Sequence, residues 1–210
     1  MKKGLICVMA VIVMFVFSLP AIAGDNDLAG KSQLQLTVDH FFWESDKVSG
    51  YGWGTFLLDQ NSGWPLIIGE FGPVFHLSSK VNMYLMAATM NDPLGWSFGP
   101  ALWLEYTGDK NYAFIEYDHY EPFMATTHDD LTPLPEQSYY GYAEYNYSLP
   151  DNIKIGVMLE TFGYYEEDHA QELMYGPFAQ LGRFRVIVAV DETPMLPGDD
   201  WLVLRAKISL

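Results

Sequence analysis

The feature that most constrains this chain is an alternation of apolar and polar residues along successive segments of about ten residues. In residues 153–161 apolar residues alternate with Lys154 and Glu160, and residues 184–190 and 202–210 alternate in the same way. A period of two places neighbouring side chains on opposite faces of a β-strand, and no segment has convincing helical periodicity. The alternation therefore predicts an all-β fold, with strands about as long as those that cross a bilayer at a tilt.

The connections between these segments alternate between two kinds. Tight polar turns, such as residues 107–110 and 149–152, join strands within hairpins, and longer, more acidic connections join one hairpin to the next. A soluble sandwich has no reason to keep its short turns at one end and its long loops at the other, whereas outer-membrane barrels have short periplasmic turns and longer outer loops. The long connections are residues 89–95, 121–137, 163–171 and 192–200.

The second face of the strands carries glycine, alanine and charges of both signs. A soluble barrel turns its apolar face inward, but in a membrane barrel that face contacts lipid and the mixed face lines the lumen. Because unpaired charges are costly to bury, we expect the two signs to pair inside the barrel. The predicted lumen charge set is Glu105, Glu116, Glu144, Glu160, Lys154, Arg185, Arg205 and Lys207.

The first 23 residues have the three parts of a secretory signal peptide. Lys2 and Lys3 precede an apolar run over residues 4–17, and Ala21-Ile22-Ala23 follows as a small-residue cleavage site. We expect cleavage after residue 23 and a single barrel domain over residues 24–210. An uncleaved membrane anchor is the alternative, since residues 4–23 are just long enough to span a bilayer.

With this leader, the alternating strands, aromatic residues near the strand ends and an alternating terminal strand, the chain resembles bacterial outer-membrane β-barrel proteins as a class. The resemblance implies an antiparallel up-and-down transmembrane barrel in the outer membrane, with outer-membrane lipid and the barrel assembly machinery as partners. Nine strands follow residue 70, and residues 33–41 and 51–58 are two further candidates. Because single-chain bacterial barrels generally have an even number of strands, the expected number is ten, with twelve as the alternative.

The sequence contains no recognisable catalytic motif. Its five histidines have no metalloprotease spacing and its single cysteine excludes a Cys-based metal site. Asp118 and His119 are neighbours on a strand, so they face opposite ways and form no dyad. We expect no catalytic residue, cofactor or bound metal, and a structural or passive transport-related role without covalent chemistry. Two alternatives stay open: a soluble periplasmic barrel that binds a small apolar ligand, and an outer-membrane lipid-modifying enzyme.

The charge balance excludes one class of partner and suggests another. A formal charge of −16, from 27 acids and 11 bases, is incompatible with nucleic-acid binding, which needs clustered Lys and Arg. Several acids fall in the long loops, where they would form an outward rim that attracts cations and is a candidate site for a divalent ion. This acidic loop rim consists of Asp129, Asp130, Glu136, Glu166, Glu167, Asp168, Glu192, Asp199 and Asp200.

Overall fold

The computed structural model describes residues 30–59, 65–91, 95–125, 137–165, 172–192 and 201–210. The predicted signal peptide, residues 1–23, lies outside this part of the chain. No helix among the described residues has the length and apolar character needed to cross a membrane. The strands are β1 (Gly30–Trp43), β2 (Val48–Asp59), β3 (Pro65–His76), β4 (Val81–Asn91), β5 (Gly95–Thr107), β6 (Asn111–Ala125), β7 (Ser138–Ser148), β8 (Ile153–Tyr164), β9 (Glu172–Leu181), β10 (Phe184–Glu192) and β11 (Trp201–Ser209).

These strands form one closed barrel in which each strand pairs with the next along the chain. The consecutive pairs are antiparallel, but β1 closes the barrel against β11 in parallel, from the pair Gly30 and Leu202 to the pair Thr37 and Ser209. The predicted barrel class is thus confirmed, with eleven strands where ten or twelve were expected. Both N-terminal candidates join the wall, and an odd number makes the first and last strands run in the same direction, so a purely antiparallel closure is impossible.

The strand order puts the two kinds of connection at opposite ends of the barrel. The tight turns all lie at one end, and two of them need left-handed backbone at Asp151 (φ 63°), Asn152 (φ 59°) and Gly182 (φ 58°). The connections between β2 and β3, β4 and β5, β6 and β7, β8 and β9, and β10 and β11 all leave from the other end. The chain enters β1 at this long-loop end and leaves β11 at the short-turn end.

The apolar faces of the strands point outward. Leu159 and Val188 are 44% and 42% exposed on the outer surface, as is Leu102 at 48%, whereas Met158 and Ala189, one position away, are buried inside. A soluble ligand-binding barrel would have the opposite orientation. The outer wall is therefore a continuous apolar surface of the kind that contacts lipid.

Glycines allow sharp corners in the wall. A Cβ atom at Gly99 would collide with the backbone carbonyl of His119 on β6, and one at Gly176 would collide with that of Val188 on β10. At the first corner the wall folds so tightly that β4 and β6, on either side of β5, contact each other. Only glycine fits where two backbones approach this closely, so these positions shape the interior.

Candidate functional site in the barrel interior

An interior chamber of about 190 Å³ lies within the barrel. Acidic, basic and aromatic side chains surround it, and the aromatic rings pack edge to face, as Trp53 and Trp103 do with 5.8 Å between centroids. The interior is therefore mostly filled by side chains, as expected for a barrel much smaller than the open porins. The aromatic lining consists of Tyr51, Trp53, Tyr84, Trp103, Tyr112, Phe114, Tyr140 and Tyr142.

The structure places the whole predicted lumen charge set on inward-facing positions. All of its members except Lys154 line the chamber. Lys154 lies nearer the short turns, with its Nζ 5.8 Å from the ring centroid of Tyr112. Strand phase positions these residues, because alternate residues of each strand share a face.

Glu144 on β7 and Arg185 on β10 form a buried ion pair across the interior. Both terminal nitrogens of the guanidinium donate to the carboxylate, one of them at 3.2 Å, and Arg185 also stacks on Phe178 with 4.1 Å to the ring centroid. Tyr142 donates to Glu144 at 2.6 Å and Asn146 donates at 3.1 Å. A bidentate pair with such additional donors satisfies both charges.

Glu160 on β8 and Arg205 on β11 form a second bidentate pair. The guanidinium donates to both carboxylate oxygens, one at 3.3 Å, and its Nε donates to Gln33 Oε1 at 2.7 Å. Gln33 belongs to β1 and is the register partner of Arg205. The pair thus connects β8 to both strands of the parallel seam that closes the barrel.

Glu105 is held by neutral donors instead of a base. Asn82 donates to its Oε2 at 2.8 Å and Tyr84 donates to the same atom at 2.7 Å. Asn82 is hydrogen-bonded in turn to His76, which is hydrogen-bonded to Ser49, at 2.8 Å in each case. This polar chain occupies the short-turn end of the interior.

A third group consists of Glu70 on β3 with Glu116 and Asp118 on β6. One ligand-type oxygen from each lies within 4.8 Å of the others, and all three residues are buried. Tyr120 donates to Asp118 at 3.0 Å, but no base forms an ion pair with any of the three in the described part of the chain. Glu116 is in the predicted lumen charge set, whereas Glu70 and Asp118 are not. For Asp118 a signal was present, since it lies two residues from Glu116 on the same strand.

A polar network lies on the outer surface beside the long-loop end. His119 is hydrogen-bonded to the Tyr165 hydroxyl at 3.0 Å and to Glu121 at 2.9 Å, and Tyr117 contacts Tyr165 at 2.6 Å. A hydroxyl, an imidazole and a carboxylate in a row resemble the parts of a nucleophilic site. Burial, and next the hydrogen bond to Tyr117, raise the pKa of Tyr165 to about 12, which favours the protonated hydroxyl over the ionised form.

The acidic loop rim falls almost entirely outside the described residues. Glu192 is the exception, and its carboxylate accepts a 2.6 Å hydrogen bond from the hydroxyl of Tyr175 on the outer surface. The candidate cation site at this rim stays a prediction.

Among solved structures, the chain is similar to one described as a NanC porin structure in a rhombohedral crystal form. The TM-score is 0.52, with 8% sequence identity over 78% of this chain and 86% of that chain. The fold is that of an outer-membrane β-barrel. At this identity the likeness covers the fold alone, and comparison of the sequence with protein families and with curated proteins finds no match.

Proposed function

We propose that the protein is a porin-like barrel of the outer membrane that passes small polar solutes through its interior chamber without covalent chemistry. The observation that carries this proposal is the chamber itself, a cavity of about 190 Å³ lined by charges of both signs and aromatic rings. A barrel with only a structural role would gain stability from an apolar filling, because buried ion pairs rarely stabilise more than well-packed apolar residues do.

The charge of the inner face favours cations. Among the inward positions whose side chains are described, nine carboxylates outnumber four bases, so the field inside the barrel is negative and attracts positive ions. The carboxylates are Asp39, Glu70, Glu105, Glu116, Asp118, Glu144, Glu160, Glu172 and Asp191, and the bases are Lys154, Arg185, Arg205 and Lys207.

The two ion pairs would act as the constriction. Glu144–Arg185 and Glu160–Arg205 join strands that lie three apart in the barrel, so each crosses the interior instead of lying along the wall. A passing solute must move between or replace these partners. We therefore expect a low conductance that depends on both pairs.

Conductance in planar bilayers tests this proposal. Refolded wild-type protein should pass small cations more readily than anions, and the variant with Glu144→Gln and Arg185→Gln should conduct better because its bridge is lost. Charge reversal, Glu144→Lys with Glu160→Lys, should shift the reversal potential toward anions. Lys80→Met, on an exposed turn, is the control, and heat-modifiable gel migration shows that each variant is folded.

Two results would contradict conduction through the interior. One is the absence of any current from folded wild-type and neutral variants. The other is a current whose size and ion preference are unchanged by charge reversal at Glu144 and Glu160.

The location and partners belong to the same proposal. The outward apolar surface supports a barrel surrounded by outer-membrane lipid, delivered by a cleaved signal peptide and inserted by the barrel assembly machinery. Cell fractionation tests it: the processed chain should require detergent for extraction and should migrate differently after heating. A soluble periplasmic binding protein would stay in aqueous buffer without detergent.

A further inference from the structure

Glu70, Glu116 and Asp118 meet because the wall between them carries small residues. Glu70 on β3 and Asp118 on β6 are separated by β4 and β5. The inner residue opposite Glu70 is Ala88 on β4, whose own partner on β5 is Gly99, and the inner residue opposite Asp118 is Ala101, two positions farther along β5. Both alanines are buried and neither has a side chain long enough to fill the space, so the carboxylates reach over them toward each other.

Several carboxylate oxygens in this group lack the well-formed hydrogen bonds that Glu105, Glu144 and Glu160 have. Glu70 is 3% exposed, and neither of its oxygens accepts a well-formed hydrogen bond from the described residues. The same is true of Oε1 of Glu116 and Oδ1 of Asp118. The indole N–H of Trp103 lies close to Glu70 and Asp118 but is itself buried without a well-formed partner. Burying carboxylates without partners is costly, and Glu144, Glu160 and Glu105 all avoid that cost. Lys207 acts on Glu116 through its charge, but among the described residues no base lies within ion-pair distance of any of the three carboxylates.

We propose that Glu70, Glu116 and Asp118 bind a hard divalent cation, with Ca²⁺ as the best fit. Oxygen-only donors select Ca²⁺, Mg²⁺ or Mn²⁺ over softer metals. Oxygens on opposite sides of Ca²⁺ lie about 5 Å apart, and Ca²⁺ accepts irregular geometry, whereas Mg²⁺ requires a near-ideal octahedron and loses its water reluctantly. One oxygen from each of the three residues lies within 4.8 Å of the other two, a spacing that a single Ca²⁺ between them would produce.

The chamber gives this site an entry path. Glu116 lines the chamber, and the buried oxygens of Glu70 and Asp118 lie within 4.8 Å of its carboxylate. A cation that enters the chamber would meet Glu116 first, and chamber water would complete its coordination. The site does not require that solutes cross the whole barrel, so it stands independently of conduction.

Terbium luminescence in detergent micelles tests the site directly. Trp103 is the register partner of Glu116 on the neighbouring strand, so excitation of Trp103 should sensitise emission from Tb³⁺ bound there, and Ca²⁺ should compete. Equilibrium dialysis of the wild-type chain should give one high-affinity Ca²⁺ per barrel. In Trp103→Phe the emission should fall, with Trp53 and Tyr120 supplying the remainder, while Ca²⁺ uptake persists.

Substitutions at the ligands separate this site from weak binding by the many surface acids. Glu70→Gln and Asp118→Asn should each lower the affinity for Ca²⁺ by on the order of tenfold or more. Removing a residue that only hydrogen-bonds to a metal ligand already has an effect of that size, and these two residues are themselves the ligands. Asp109→Asn, on an exposed turn, should leave it unchanged. As a check that needs no variant, the unfolding temperature of the wild-type barrel should rise with Ca²⁺ and fall with a chelator.

Three results would overturn the proposal. They are the absence of saturable uptake, an uptake that Glu70→Gln and Asp118→Asn do not change, and a wild-type unfolding temperature indifferent to Ca²⁺ and chelator. In each case protons shared among the three carboxylates, instead of a metal, would be what holds the cluster together.

Discussion

The two halves of the barrel interior differ in whether their buried carboxylates are paired with a base. In the paired half, formed by β7 to β11, Glu144 and Glu160 each have a bidentate arginine. In the acid half, formed by β3 to β6, Glu70, Glu116 and Asp118 lie together with no base paired to any of them in the described residues. The same alternation of inner and outer residues builds both halves, so strand phase fixes only which charges point inward. Whether they are compensated depends on the opposite wall.

The difference implies different roles for the two halves. A buried pair whose donors and acceptors are satisfied contributes a fixed geometry, and removing one partner leaves the other uncompensated. An uncompensated acidic group is instead a place where a cation lowers the free energy of the folded state on binding. We therefore expect substitutions in the paired half to reduce stability, and substitutions in the acid half to change ligand binding.

The largest expected effect is that of Arg205→Met. This change leaves the Glu160 carboxylate buried without its base and removes the Nε donor to Gln33, at a cost of about 3–5 kcal/mol in the free energy of unfolding. Urea unfolding of the barrel in lipid vesicles measures it. Adding Glu160→Gln should recover part of the loss because the unpaired charge is then gone. A single variant as stable as the wild type would mean that the pair does not hold the parallel seam.

The next largest effect is the loss in free energy of unfolding when an arginine is placed on the outer surface. This loss should be equal in the two halves. Leu159→Arg on β8 and Leu102→Arg on β5 each place a charge near the middle of the lipid-facing wall, at a cost of about 2–4 kcal/mol. Ile153→Arg, at the short-turn end of β8, should cost no more than about 1 kcal/mol because it lies near the interface. If the three variants unfold alike, or if one half tolerates the charge, that part of the wall does not face lipid.

Strand phase and face could be predicted from the sequence because they are local properties. The lipid outside and the charges inside impose opposite demands on neighbouring residues, so Leu159 and Glu160 show their orientations within two positions of the chain. For the same reason the predicted lumen charges all lie on the inner face. The pairing of Glu144 with Arg185 and of Glu160 with Arg205 was not predictable in this way, since it depends on which strands lie opposite each other.

The features that were missed depend on more distant parts of the chain. The closure of β1 against β11 sets the strand number, and no pattern within either strand shows that they will pair in parallel. Glu70 was missed because the predicted strand began one residue later, at Phe71. Its approach to Asp118 also depends on Ala88 and Ala101 in the two strands between them. In the sequence, two isolated alanines indicate only small side chains in a packed sheet, and they do not predict that two carboxylates meet above them.

In the acid half, the substitution Glu70→Gln should stabilise the barrel in the presence of a chelator. It removes one of three uncompensated charges and supplies an amide N–H that can donate to Asp118 or Glu116, a gain on the order of 1–2 kcal/mol. The matching change in the paired half, Glu160→Gln, should be destabilising under the same conditions. Urea unfolding with chelator measures both. Effects of the same sign would remove the distinction between the two halves.

The smallest expected effect tests whether an ion pair must be buried to contribute strongly to the free energy of unfolding, as the pairs of the paired half are. Lys80 and Asp109 also form an ion pair, at 3.3 Å, but it joins two turns at the short-turn end, and the side chains are 49% and 93% exposed. Water and salt screen such a pair, so Lys80→Met should change the free energy of unfolding by less than about 1 kcal/mol. That change should shrink further in high salt, whereas the loss in Arg205→Met should persist because its partners are buried. A salt-independent loss at Lys80 comparable to that at Arg205 would show that the tight turns, and not the interior pairs, fix the shape of the barrel.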